Sequence, residues 1–195
     1  MKKLFQLFAA LAVMIAMMTA CDITTPNPSD LAGLWGGAKI DNKHGDIEAS
    51  IKFTPSAEDS TRGEFVIWYE GTFNEEDDAG KFSIDFGVSD PGTYKVEGDR
   101  IVLTYDAEKV GVKLDEDDVR DHAEELQEAG EEGSVEAIAE DFENMFGSYL
   151  HDSFKKLFQA RNGGDNRHTF IIEGDKLTLK AGDVSDLIFT RQEEE

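Results

Sequence analysis

Ile47-Glu48-Ala49-Ser50-Ile51-Lys52-Phe53 alternates apolar and polar residues, and Phe65-Val66-Ile67-Trp68-Tyr69 does much the same between Glu64 and Glu70. Successive side chains of a strand point to opposite faces. Each run therefore predicts a strand buried on the face of its odd-numbered residues. Phe82-Ser83-Ile84-Asp85-Phe86 has its apolar face on even numbers, and Tyr94, Val96, Ile101, Leu103 and Tyr105 extend the pattern. Turn-forming residues separate the runs: Asn42 to Gly45, Pro55 to Ser60, the acidic Asn74 to Gly80, and Asp90-Pro91-Gly92. Trp68 has the opposite parity to Phe65 and Ile67, which places it outside the sheet, under the helices. Gly36-Gly37 falls inside a strand and marks a bulge or bend.

One pattern occurs twice. Tyr94 to Leu103 and Phe170 to Leu179 both read strand, Glu-Gly-Asp, strand. Gly-Asp supplies the positive φ of a two-residue hairpin loop. Two ordinary hairpins of one meander account for the repeat. Between them the period changes. Asp115 to Ala129 carries Val119, Ala123 and Leu126 on a narrow stripe, and Gly130 to Gly133 interrupts it. Ser134 can cap a longer helix. Its apolar residues, from Val135, Ile138 and Phe142 to Phe154, Leu157 and Phe158, recur every three or four positions. Lys155, Lys156 and Arg161 suit the negative end of the helix dipole, and Asn162-Gly163-Gly164 stops it. Strands resume at Arg167 and end with Leu187 to Arg191. The expected fold is mainly β: an antiparallel up-and-down barrel of about eight or nine strands, with a two-helix insertion at about 115–162. A meander of this kind must close or be covered to hide its edges. The helix stripe either packs statically on the barrel or acts as a moving lid.

The first twenty residues have another character. Met1-Lys2-Lys3 is positive, Leu4 to Met18 is almost wholly apolar, and small Thr19 and Ala20 precede Cys21. That is the layout of a secretory signal peptide over 1–20, too short to be a spanning helix. Met18-Thr19-Ala20-Cys21 resembles the lipobox of bacterial lipoproteins, with Met18 where that family usually has Leu. The resemblance implies a diacylglycerol on the Cys21 thiol, cleavage after Ala20 and acylation of the new amine. Each buried CH₂ of such chains adds about 0.8 kcal/mol of membrane affinity, so palmitate-length chains on one residue make a stable anchor. Residues 21–30 then read as lipidated Cys plus an extended tether, since Pro26 and Pro28 disfavour helix. Cys21 is the one cysteine of the chain, so the domain at 31–191 has no internal disulfide. Residues 192–195 form an acidic tail.

The net charge is −23, and loss of Lys2 and Lys3 with the leader would take it to −25. Such a surface repels nucleic acid and keeps an anchored domain off anionic headgroups. The expected address is the cell envelope after export. Asp22 retains lipoproteins at the inner membrane in some bacteria and not in others, and the outer membrane is the expectation here.

Leu31-Ala32-Gly33-Leu34-Trp35 at the domain's start and Leu187 to Arg191 at its end resemble the lipocalin-like barrels of many bacterial lipoproteins. Gly33 and Trp35 match the lipocalin Gly-x-Trp. The resemblance implies that Trp35 closes the barrel floor with Arg191 packed over it. It departs from the family in lacking a Thr-Asp-x-Tyr turn and in carrying its helices after Tyr105. It also implies a scaffold used to bind small apolar molecules, although a fold alone does not establish a use.

Tests for other chemistry are negative. His44, His122, His151 and His168 show no metal-ligand spacing and read as surface residues, with His122 on an exposed helical face. Glu75 to Asp78 and Asp115 to Asp118 do not match a calcium loop and read as a loop tip and an acidic first helical turn. No nucleophile elbow, phosphate loop or catalytic pair stands out. No metal, cofactor or enzymatic activity is expected. Trp35, Phe53, Phe65, Tyr69, Phe82, Phe86, Tyr94 and Tyr105 are the candidate walls of a ligand cavity; alternatively they fill the barrel themselves. The expected function is therefore a non-enzymatic, lipid-anchored envelope protein binding a small apolar or amphipathic ligand. The rival is a structural protein that docks an envelope partner through its acidic surface or helical insertion.

Overall fold

The computed structural model describes residues 27–42, 45–76, 80–164, 166–180 and 186–193. The expected signal peptide, Cys21, most of the expected tether, His44 and the end of the expected tail lie outside the described residues. Nine strands follow one another: β1 (Gly33–Asn42), β2 (Gly45–Pro55), β3 (Arg62–Glu76), β4 (Lys81–Glu97), β5 (Arg100–Tyr105), β6 (Gly111–Leu114), β7 (Arg167–Glu173), β8 (Lys176–Lys180) and β9 (Leu187–Arg191). Helices α1 (Glu116–Glu128) and α2 (Val135–Asn162) stand between β6 and β7. Every strand pairing is antiparallel. Eight strands close a ring in the order β1-β2-β3-β4-β5-β7-β8-β9, with β9 returning to β1, and β6 adds to β4 beyond the end of β5. This is the mainly β barrel with a helical insertion that the alternating runs predict.

Residues directly opposite one another share a face, so the registers identify the interior. Phe53 pairs Phe65, Ile51 pairs Ile67 and Ala49 pairs Tyr69, and all six are buried. Across β3 and β4 the inward pairs include Phe65 with Gly92, Ile67 with Asp90, Tyr69 with Val88, and Phe73 with Ile84. Two glycines make room for rings. A Cβ on Gly92 would lie 2.6 Å from the Phe65 ring, and one on Gly63 would lie 2.7 Å from Tyr94. Each ring lies over the bare backbone of its cross-strand partner. The register of β1 slips between Trp35 and Ala38, across Gly36-Gly37. Gly98 and Gly174, both at positive φ, turn the two Gly-Asp hairpins.

Asp90-Pro91-Gly92 is not the turn its composition suggests. It lies within the 17-residue strand β4. Pro91 pairs with Val66 on one side. On the other, the pairing of β4 with β6 stops at Ser89 and its pairing with β5 starts at Gly92. The proline therefore sits where no ladder needs its missing N–H, and its carbonyl accepts from Asp106 N at 2.8 Å.

The helices cap one end of the barrel. Asp115 caps α1 by accepting from Asp117 N at 3.0 Å and Asp118 N at 3.2 Å. Asp118 in turn accepts from Asp85 N on β4 at 2.8 Å. The acidic run thus holds α1 to the sheet. Ser134 caps α2 by accepting from Ala137 N. Phe142, Phe146, Leu150, Phe154, Leu157 and Phe158 on α2 are buried. At its far end, Asn162 clamps β5: its amide donates to the Tyr105 carbonyl at 2.6 Å and its Oδ1 accepts from Tyr105 N at 2.9 Å. Lys155 adds an ion pair to Glu108 at 2.5 Å. Trp68 is half-buried on the outside, as its parity requires, but in a hollow formed by strands rather than under the helices.

Candidate functional site

The predicted wall residues divide into four places. Phe53, Phe65 and Tyr94 form one interior group: Phe53 meets the edge of Tyr94 at 5.2 Å and tilts against Phe65 at 6.4 Å. Phe65 meets Tyr105 edge-on at 5.4 Å, which links this group to the helix-capped end. There Tyr105 stacks on Phe158 of α2 at 4.9 Å, and Tyr69 lies against Phe154 and Phe158 at 6.1 and 6.3 Å. Phe86 is buried on the same inward face of β4. Phe82 is only partly buried and lies beyond the interior, against His122 at 4.1 Å, Phe142 at 6.0 Å and Phe73 at 6.2 Å. It belongs to the packing of the helices on the long β3–β4 hairpin. Trp35 is at the opposite end, fully buried, with the Arg191 guanidinium 4.0 Å from its ring centre.

The barrel interior beneath α2 is thus a continuous stack of rings, and α2 contributes the last of them. The apolar stripe of α2 is spent on the barrel. Met145, at 66% exposure, is the helix's large apolar residue facing water among the described residues.

A polar group lies within this stack. Continuing the even parity of Ile84, Phe86 and Val88 places Asp90 inward. Asp90 is fully buried, and neither carboxylate oxygen has a hydrogen-bond partner. Around it are the Tyr69 hydroxyl, the Asp106 carboxylate and the Arg161 guanidinium from the last turn of α2. Arg161 does not bond the carboxylate. Its Nη1 donates to the Tyr105 hydroxyl at 3.4 Å, it also bonds Tyr69, and its guanidinium lies 5.7 Å from the Tyr105 ring and 5.9 Å from Phe158. The Tyr94 hydroxyl and Arg161 Nε are likewise buried without partners. Burial, with Asp106's charge adding to it and Arg161 opposing, pushes Asp90 up to about 7. Burial pushes Tyr94 up to about 12 and raises Tyr69 as well.

A carboxyl raised from 3.8 to about 7 on folding has a sign that can be tested. The folded protein holds that proton more tightly than the unfolded chain. Its contribution to stability is therefore greatest below the unfolded value and is lost as pH rises through the folded one. Asp90→Asn removes the ionisation and keeps the shape. The variant is expected to be more stable than wild type by about 1–3 kcal/mol at pH 8, and to show little or no advantage near pH 4. Thermal melts of both proteins from pH 4 to 9 check this. A variant less stable at pH 8 would contradict it.

Neither Asp90 nor Arg161 was among the residues that sequence reasoning nominated. The turn-like Asp-Pro-Gly hides the first, and the second also suits the negative end of the helix dipole. The strand parity of β4 was the signal available. Two histidines also differ from expectation: His168 is buried on β7, and His122 is buried between Phe82 and Phe142. The stripe of α1 is rotated to include it, since positions 119, 122 and 123 share one helical face. Among the described residues, no three His, Cys, Asp or Glu side chains converge as a metal site. Outside the barrel, β3, β4 and β6 border two adjoining hollows of about 360 and 300 Å³, around Gly87 and Lys113, with Trp68 and Val112 lining the second.

Fold and interior define the class: a mainly β protein built on a closed, antiparallel, eight-stranded barrel, consistent with a lipocalin-like fold. No protein-family model matches the sequence, and comparison with curated proteins finds no significant match.

Proposed function

We propose that the protein is a non-enzymatic, lipid-anchored lipoprotein of the cell envelope, held to the membrane through Cys21, and that its barrel binds a small amphipathic ligand beneath α2. The observation that carries this reading is Asp90. An unpaired carboxyl in an apolar interior costs several kcal/mol, and a core built only for stability has no use for it. Buried polar groups left unsatisfied and strongly shifted in pKa cluster at functional sites. The aromatic walls suit an apolar body, and Asp90 with the Tyr69 and Tyr105 hydroxyls suits a polar end. The ligand takes the volume now filled by Phe154 and Phe158, so α2 acts as a lid. A partner-docking role for α2 is disfavoured because its apolar face is turned onto the barrel.

Native mass spectrometry of the full chain, drawn gently from a bacterial extract and compared before and after denaturation, tests both halves. The expected spectrum shows a small molecule at fixed stoichiometry that denaturation releases, and acyl chains that Cys21→Ser removes. A clean ligand-free mass across several extracts would overturn the binding role, and an unacylated Cys21 the anchor.

A further inference from the structure

The Arg161 guanidinium occupies a cage. Two aromatic faces, Tyr105 and Phe158, lie within 6 Å of it, at 5.7 and 5.9 Å, and the hydroxyls of Tyr69 and Tyr105 bond it. Faces of aromatic rings and phenol oxygens attract cations, most strongly where water is excluded. Asp90 stands beside this cage, fully buried and unbonded, and the Asp106 carboxylate adds a second negative charge nearby. Asp106 is paired outward, to Lys109 at 2.9 Å, which leaves Asp90 facing inward alone. The surroundings of Arg161 are therefore richer in anionic and π-electron groups than one guanidinium satisfies. Arg161 is carried by α2, the element that must move for a ligand to enter. When α2 lifts and the Asn162 clamp on β5 opens, Arg161 and Phe158 leave together. The barrel wall then presents Asp90, Tyr69 and Tyr105 with no cation among them.

We infer that the ligand is an organic cation with an apolar body, an alkyl or aryl amine, whose charged head pairs with Asp90 in the place that Arg161 holds when the lid is shut. Arg161 is then a built-in competitor: it fills the cation subsite in the closed state and gives way to the ligand's head. This rests on the ligand-binding reading of the barrel and narrows it to one class of ligand.

Three probes with one tail separate the possibilities: octylammonium, octanoate and octanol. Calorimetric titrations use the full chain in lipid nanodiscs, with empty nanodiscs subtracted, at a salt concentration that screens the acidic surface. Octylammonium is expected to bind at least roughly tenfold more tightly than the other two, a preference of about 1.4 kcal/mol. Asp90→Asn should abolish that preference, read as the ratio of octylammonium to octanol affinity in the same protein. Arg161→Gln should tighten octylammonium roughly tenfold, because the internal competitor is gone. A purely structural role for Asp90 would move all three probes together. Octanoate or octanol binding as tightly as octylammonium would overturn the cationic head and leave the barrel a ligand site. Binding of none of the three, in wild type and Arg161→Gln alike, would overturn the inference, and the native mass spectrum would then decide the barrel itself.

Discussion

Phe158→Ala is expected to lower stability by about 3–5 kcal/mol, the range for truncating a fully buried aromatic ring. For a domain of this size that is a fall in melting temperature of roughly 6–20 °C. Phe158 has no exposed surface and touches both walls of the barrel: it stacks on Tyr105 with the planes 17° apart, and lies over Tyr69 at 25°. It also supports Phe154 and one face of the Arg161 cage. Its removal leaves a void that strand residues cannot collapse into, because the closed ladder fixes their positions. The same change should loosen α2, raising hydrogen exchange along α2 relative to β2 and β3. A loss under about 1 kcal/mol would show that α2 rests on the barrel without plugging it.

The second large effect lies at the other end. Trp35→Ala is expected to cost about 3–5 kcal/mol, with melting temperature as the readout. The indole is fully buried, and its Nε1 donates to the Leu31 carbonyl at 2.8 Å. Arg191 covers its ring and donates to the carbonyls of Ala32 at 2.6 Å and Asp30 at 2.7 Å. Those carbonyls belong to the short 3-10 turn Pro28–Leu31 and the residue after it. One arginine from the last strand thus ties the chain's entry to its exit over a tryptophan from the first. A double-mutant cycle of Trp35→Ala with Arg191→Ala should return a coupling of about 1–2 kcal/mol, as for a partly desolvated cation–π pair. Additive losses would contradict that arrangement.

The barrel was legible because its strands are half-buried and so alternate. Ile47 to Phe53 and Phe65 to Tyr69 showed both the strands and the faces that the registers pair. The hairpins were legible because Gly-Asp has few other uses between alternating runs, and the long helix because its stripe holds a constant spacing from Phe142 to Phe158. The interior site was less so. Asp90-Pro91-Gly92 has a turn's composition, and its place in a strand depends on β5 leaving and β6 arriving on the same side of β4. That is a tertiary event with no local mark. Phe82 shares the parity of Phe86 but lies past the reach of the ring, because β3 and β4 extend beyond their neighbours. The polarity of imidazole points His122 to solvent, although a ring stacked on Phe82 is well placed in an aromatic layer.

β4 carries an unpaired carboxyl into the barrel beneath α2. Carbon-detected NMR of the Asp90 carboxyl, followed from pH 4 to 9, measures this directly, with Asp90→Asn assigning the resonance. The expected midpoint is near 7. A midpoint near 4, the value of a carboxyl in water, would contradict the site.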